Sequence, residues 1–181
     1  MDSYSDSDIT IRPLDISDAD DFMQWYSDEK VSKFCSWEAF TSKEAAVQHV
    51  IDNVLDHPWH RAICVSGRAV GSISVTPFGG NDKCRAELGY VVGSAYWGKG
   101  IATRAVKMAA NAIFVEWGHL ERLEAVAVVE NVGSQRVLEK AGFMREGVLR
   151  KYYLLKGEPK DVVMFSLLST DPQVNYFMDS S

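Results

Sequence analysis

The chain has 181 residues, 46% hydrophobic and 24% charged, with 19 Lys+Arg against 25 Asp+Glu for a formal charge of −6. A chain of this length buries about two-thirds of the surface its unfolded form exposes, and its ordinary composition excludes disordered, collagen-like and disulfide-scaffold classes. The acidic balance argues against nucleic-acid binding, which relies on clustered Lys and Arg, and suits a cationic substrate.

Cys35, Cys64 and Cys84 are odd in number and widely spaced, as expected of reduced thiols in the cytoplasm, with the nucleus also open. No apolar run approaches the roughly 18 residues of a membrane span, so no membrane partner is expected. The polar, acidic residues 1–8 show no secretory or import pattern.

In chain order, residues 1–8 and 169–181 are expected as loose ends of one domain covering 9–168. Residues 9–14 predict a strand, and 15–28 a helix with Phe22, Trp25 and Tyr26 on its apolar side. Residues 34–40 are aromatic and irregular. Thr41 and Glu44 have the spacing of a capping box, opening a helix through Val47, Val50, Ile51, Val54 and Leu55 that His57-Pro58 ends. Residues 61–65 and 70–76 are β-branched runs around Ser66-Gly67-Arg68, a hairpin signal. Residues 78–82 form a turn and 85–92 the next strand. Residues 100–117 form the strongest helix, with Ile101, Ala105, Met108, Ala112 and Val115 as its expected core stripe. A strand at 123–129 and a helix at 134–141, stopped by Gly142, precede two long strands, 143–155 and 161–168. The last is expected at a sheet edge, where it could pair between subunits; monomer and homodimer both stay open. Strands with singly interleaved helices make a three-layer mixed α/β domain.

The informative segment is Tyr96-Trp97-Gly98-Lys99-Gly100-Ile101-Ala102-Thr103, between a strand and the long helix. Glycines let backbone approach a ligand, and the first N–H groups of a helix can hold an anion. Taken alone, it is either a pyrophosphate cradle or an ordinary glycine loop. It lacks the Walker A spacing and the third glycine of a dinucleotide fingerprint.

Gly98-Lys99-Gly100-Ile101-Ala102 is followed by Asn131-Val132-Gly133-Ser134 and Val137-Leu138-Glu139-Lys140-Ala141-Gly142-Phe143, and preceded by Glu87-Leu88-Gly89-Tyr90. In this order and spacing the chain resembles the GNAT N-acetyltransferase superfamily, and it is similar to the RimJ/RimL-type branch, whose members acetylate protein amino termini. The resemblance spans residues 9–168 and is specific over 87–143. It departs at Trp97, where the superfamily usually has Arg or Gln and this branch accepts Trp.

The resemblance implies a GNAT-like three-layer fold, a central and mostly antiparallel sheet flanked by helices. It implies acetyl-CoA as co-substrate, no metal, and direct attack of a primary amine on the thioester. Trp97, Gly98, Lys99, Gly100, Ile101, Ala102 and Thr103 would hold the pyrophosphate. Tyr90, Val91 and Val92 would line the pantetheine arm through their backbone, and Asn131 would bind it while also capping a helix. Ser134 would serve the departing thiolate, with Tyr153 the runner-up acid. Arg104, Arg136 and Lys140 could add charge near the phosphates or simply face solvent.

Glu87 is the candidate general base, since partial burial raises a carboxylate's proton affinity towards the operating pH; a solvent-facing strand residue is the other reading. Trp37 and Phe78, with Phe34 and Phe40, are candidates to line the acceptor site or to pack at its rim. The expected acceptor is a protein or peptide α-amine. A polyamine or other small amine is the alternative that the charge of −6 suits, and a non-catalytic CoA-binding module is a third reading. Pro58 breaks the helical spacing of His57 and His60, so no zinc site is expected there.

Overall fold

The first predicted helix, residues 15–28, opens as a 3-10 turn in the computed structural model, which describes residues 4–174. After β1 (Ile9–Pro13), the Asp15 side chain accepts from Ser17 N and opens a 3-10 turn over Ile16–Asp18. Asp18 takes a bidentate ion pair from Arg12 at 2.7 and 2.8 Å. Helix α1 (Ala19–Tyr26) follows, and Asp28, extended at φ −86° and ψ 110°, accepts from Lys30 N to start α2 (Glu29–Ser32). An Asp side chain competes well for backbone N–H groups, which explains both starts. Helix α3 (Lys43–Asn53) is capped by Ser42, whose hydroxyl accepts from Ala45 N, and not by Thr41 as the spacing suggested.

The remaining elements are β2 (His60–Val65), β3 (Arg68–Pro77), β4 (Arg85–Val92), α4 (Ile101–Glu116), β5 (Arg122–Val128), α5 (Val132–Ala141), β6 (Met144–Leu155) and β7 (Glu158–Leu168). Ser66 and Gly67, both at positive φ, make the tight β2–β3 turn. The seven strands form one mixed sheet in the order β1-β2-β3-β4-β5-β7-β6. Pairs β1–β2, β2–β3, β5–β7 and β6–β7 are antiparallel, and β4–β5 is parallel. The expected mixed, mostly antiparallel sheet with flanking helices is the observed fold.

The chain divides into two compact units, residues 1–74 with 90–105 and residues 75–89 with 106–181. The first packs Phe22, Trp25, Tyr26, Val31, Val50 and Ala62 into one apolar cluster, with Trp37 and Phe40 against its rim. The second buries Leu123, Leu138, Val162, Val163 and Phe165. Strands β3 and β4 and helix α4 contribute to both units.

Two sequence expectations change here. The buried face of α4 is Ile101, Ala105, Val106, Ala109, Ala110, Ile113 and Phe114, while Val115 is 66% exposed. The helix is apolar on nearly every side, so periodicity fits two overlapping stripes, and the stripe with the bulkier Ile113 and Phe114 turns inward. The edge strand is β6, not β7: β7 pairs with both β5 and β6, and β6 exposes Met144, Val148, Tyr152 and Leu154.

Of the expected loose ends, residues 1–3 and 175–181 lie outside the described residues. Within the described part, Ser5 bonds to Asp8, Ser169 N donates to Glu121 O at 3.0 Å, and Gln173 Nε2 donates to Gly142 O at 2.7 Å. No helix among the described residues is long and apolar enough to cross a membrane.

Candidate functional site

Hydrogen bonds within the first unit hold the glycine loop, among them Tyr96 N to Gly93 O at 2.9 Å. Gly93 N donates to Val70 O at 2.9 Å, Ser94 N to the Asp28 carboxylate at 3.3 Å, and Trp97 N to Ser94 O at 3.2 Å. The Trp97 indole N–H reaches back to Val92 O at 2.7 Å. That bond takes up a carbonyl expected to face the pantetheine arm. Upstream, a Cβ at Gly71 on β3 would lie 2.2 Å from Val91 O on β4, so only glycine lets the two backbones approach there.

Past Trp97, Gly98 and Gly100 adopt φ of 74° and 79°, a region that favours glycine. Arg104 N donates to Gly100 O at 3.0 Å, so the amides of Ile101, Ala102 and Thr103 precede the first bond within α4. No acidic residue lies in that first turn. The Lys99 ammonium stands over the rings of Tyr4 and Tyr96 at 5.5 and 5.8 Å. Backbone donors, a helix N-terminus and one cation with no carboxylate among them fit a diphosphate.

The second unit holds Glu87, Phe78, Asn131, Ser134 and Tyr153. Glu87 is half-buried and lies opposite Glu124, at the last pair of the β4–β5 register. Burial raises its proton affinity, and the Glu124 carboxylate raises it further. Sequence reasoning missed Glu124. It is 3% exposed and bridges Arg85 Nη1 and Arg122 Nε at 2.7 Å each. Arg122 also forks onto Glu146 at 2.7 and 2.8 Å, and Ser166 Oγ donates to Glu146 at 2.6 Å. Together these partners hold the Glu146 carboxyl down at about 2. An acidic residue inside the apolar run 123–129 was the signal that could have found this network.

Phe78 N donates to Arg85 O at 3.2 Å, and the Arg85 guanidinium stacks 4.2 Å from the Phe78 ring. Asn131 caps α5: its side-chain oxygen accepts from Ser134 N at 3.1 Å. The helix therefore begins at Val132, two residues before the expected start. Tyr153 is half-buried on β6, beyond a register shift, with its ring centroid 6.5 Å from that of Tyr152. Arg136 and Lys140 are exposed.

Among the aromatic candidates of the first unit, Trp37 packs on Tyr26 and His49 at 5.3 and 5.8 Å, and Phe40 on the same two rings at 5.4 and 5.3 Å. Phe34 lies apart under Lys33.

The acetyltransferase (GNAT) domain family matches residues 8–144, and the chain belongs to that family. The uncharacterized N-acetyltransferase p20 of Bacillus licheniformis is 34% identical over 168 residues, covering 90% of this chain and 94% of that protein. The [ribosomal protein uS5]-alanine N-acetyltransferase of Escherichia coli is 32% identical over 84 residues, 46% of this chain and 43% of that one. The solved GNAT acetyltransferase of Bacillus anthracis superposes with a TM-score of 0.79 at 26% identity, over 90% of this chain and 96% of its own. Solved RimL and RimJ structures share the fold at 22% identity. The protein is an N-acetyltransferase that uses acetyl-CoA.

Proposed function

We propose that this enzyme acetylates the α-amine of a protein or peptide, with Glu87 as general base. The observation that carries the reading is the Glu87 carboxyl, half-buried beside Glu124, with its proton affinity raised by both. Support for the acceptor class comes from the uS5-alanine acetyltransferase, whose name states such an amine. A small polyamine is the second reading, favoured by the formal charge of −6.

Acetyl-CoA supplies an acetyl thioester. The loop amides from Gly98 to Thr103, with Lys99, hold its diphosphate; Asn131 and the backbone of Tyr90 and Val91 take the pantetheine arm. Glu87 accepts, directly or through one water, the proton that the acceptor nitrogen gives up as its bond to the acetyl carbon forms. Ser134 hydrogen-bonds or protonates the sulfur whose bond to carbon breaks, with Tyr153 the alternative donor. Phe78, held under Arg85, and Trp37 border the acceptor. The cell compartment that fits is the cytoplasm, and the protein acts within a single domain over residues 9–168.

Thiol release from acetyl-CoA, measured with amino-terminal peptides, polyamines and a no-acceptor control, tests the reading. Turnover with peptides sharing a first residue supports it, and turnover with polyamines alone replaces the acceptor. Glu87→Gln is expected to keep acetyl-CoA affinity and lose about 10²- to 10⁴-fold in kcat. Undiminished turnover removes Glu87 from the role. Tight acetyl-CoA binding by the wild type with no turnover on any acceptor favours a CoA-binding module.

A further inference from the structure

Trp97 occupies the position where the superfamily's loop usually carries Arg or Gln, and its polar atom is committed inside the protein. The indole N–H donates to Val92 O at 2.7 Å, so the side chain that ends the loop closes it onto the last residue of β4. The ring itself is 48% exposed. Packing holds the buried half of the side chain, and the hydrogen bond is its directional anchor. Val92 is 6% exposed, and a carbonyl there that loses its donor pays a desolvation penalty. Ties from the amides of Gly93, Ser94, Tyr96 and Trp97 fall before Gly98, and Arg104 N bonds Gly100 O on the helix side. The indole bond connects the residue next to the cradle back to the strand.

We propose that Trp97 is a positioning residue for acetyl-CoA. Its indole N–H, fixed on the Val92 carbonyl, holds Gly98 to Thr103 in the conformation that receives the diphosphate. This chain thereby meets that group with backbone amides and Lys99, with no cation at position 97. The inference rests on the acetyl-CoA reading of the loop and extends it to one donor atom. Without that donor the receptive loop is one of several conformers, and apparent affinity falls with the fraction that stays receptive.

Calorimetric titration of acetyl-CoA into the wild type, Trp97→Phe and Trp97→Gln tests the inference. Phe keeps an aromatic ring and lacks the donor; Gln keeps an N–H donor and no charge. A net hydrogen bond of ordinary strength predicts that Trp97→Phe weakens binding about threefold to tenfold, and that Trp97→Gln recovers most of the loss. Wild-type affinity in Trp97→Phe overturns the inference. Equal losses in both variants also overturn it, since the ring and not its N–H would then be what matters. Should Trp97→Phe fail to fold, Trp97→Met against Trp97→Gln makes the same comparison of donor with no donor. A wild-type protein that does not bind acetyl-CoA overturns the cradle reading itself, an outcome distinct from the other two.

Discussion

Glu124 is nearly sealed from solvent, and two arginines share its charge at 2.7 Å. A buried carboxylate needs such partners, because removing it from water unpaired costs several kcal/mol. Its consequence falls on Glu87, the residue opposite it in the β4–β5 register. The charged groups flanking Glu87 on these two strands are Arg85, Arg122 and Glu124, and β3 carries a single ionisable residue, Arg68, at its start. Removing the Glu124 charge favours ionised Glu87, so Glu124→Gln is expected to move the acid limb of the rate profile to lower pH. A profile of thiol release against pH checks this, and an unmoved limb would separate the two carboxyls. Activity in the wild type should fall as pH drops through the raised Glu87 value, because the protonated base accepts no proton.

At the scale of elements, local rules located most helices and strands within a few residues, and side-chain competition shifted their ends. Asp28 caps a further short helix just past the expected one, and Ser42 rather than Thr41 takes the cap of α3. Gly71 shows a different limit. A glycine inside a β-branched run signals a close approach, but the identity of the approaching group is a tertiary matter. Here it is the Val91 carbonyl, 2.2 Å from where a Cβ would stand. Gly71→Ala must push β4 away just upstream of the Val92 carbonyl that Trp97 holds. The expected result is a destabilisation of about 2 kcal/mol or more, read by urea unfolding, together with weaker acetyl-CoA binding. Unchanged stability would mean that β4 yields freely there.

For the molecule as a whole, acid lability follows from histidine burial. Neither ring nitrogen of His60 has a hydrogen-bond partner among the described residues, and its pKa is pushed down to about 4 by burial first, then by His57, His49 and Arg61. A histidine whose folded value lies below its unfolded one of about 6.5 binds its proton more readily in the unfolded chain. Stability is therefore full above pH 6.5 and falls as pH drops towards 4, by about 3 kcal/mol from this group. The Glu146 carboxyl, held at about 2 by Arg122 and Ser166, adds a further loss as pH falls from its ordinary value towards 2. His60→Gln is expected to flatten the upper part of this decline and leave the lower part, as thermal melts between pH 7 and 2 would show. An equal slope in both proteins would assign the loss elsewhere.

The linear sequence determined the family, the loop at 98–103, the capping role of Asn131 and the stop at Gly142, because each depends on residues a few positions apart whose backbone demands are local. It also marked Glu87 as a candidate, since an acid on a strand beside such a loop is visible in one dimension. Only the tertiary structure decided which stripe of α4 turns inward, that β7 lies inside the sheet with β6 at its edge, and that Glu124 stands opposite Glu87. These rest on pairing between distant segments, where several registers satisfy the same pattern. The indole bond of Trp97 belongs with them: its two ends are five residues apart, yet only the folded turn at 93–97 brings donor and carbonyl within 2.7 Å.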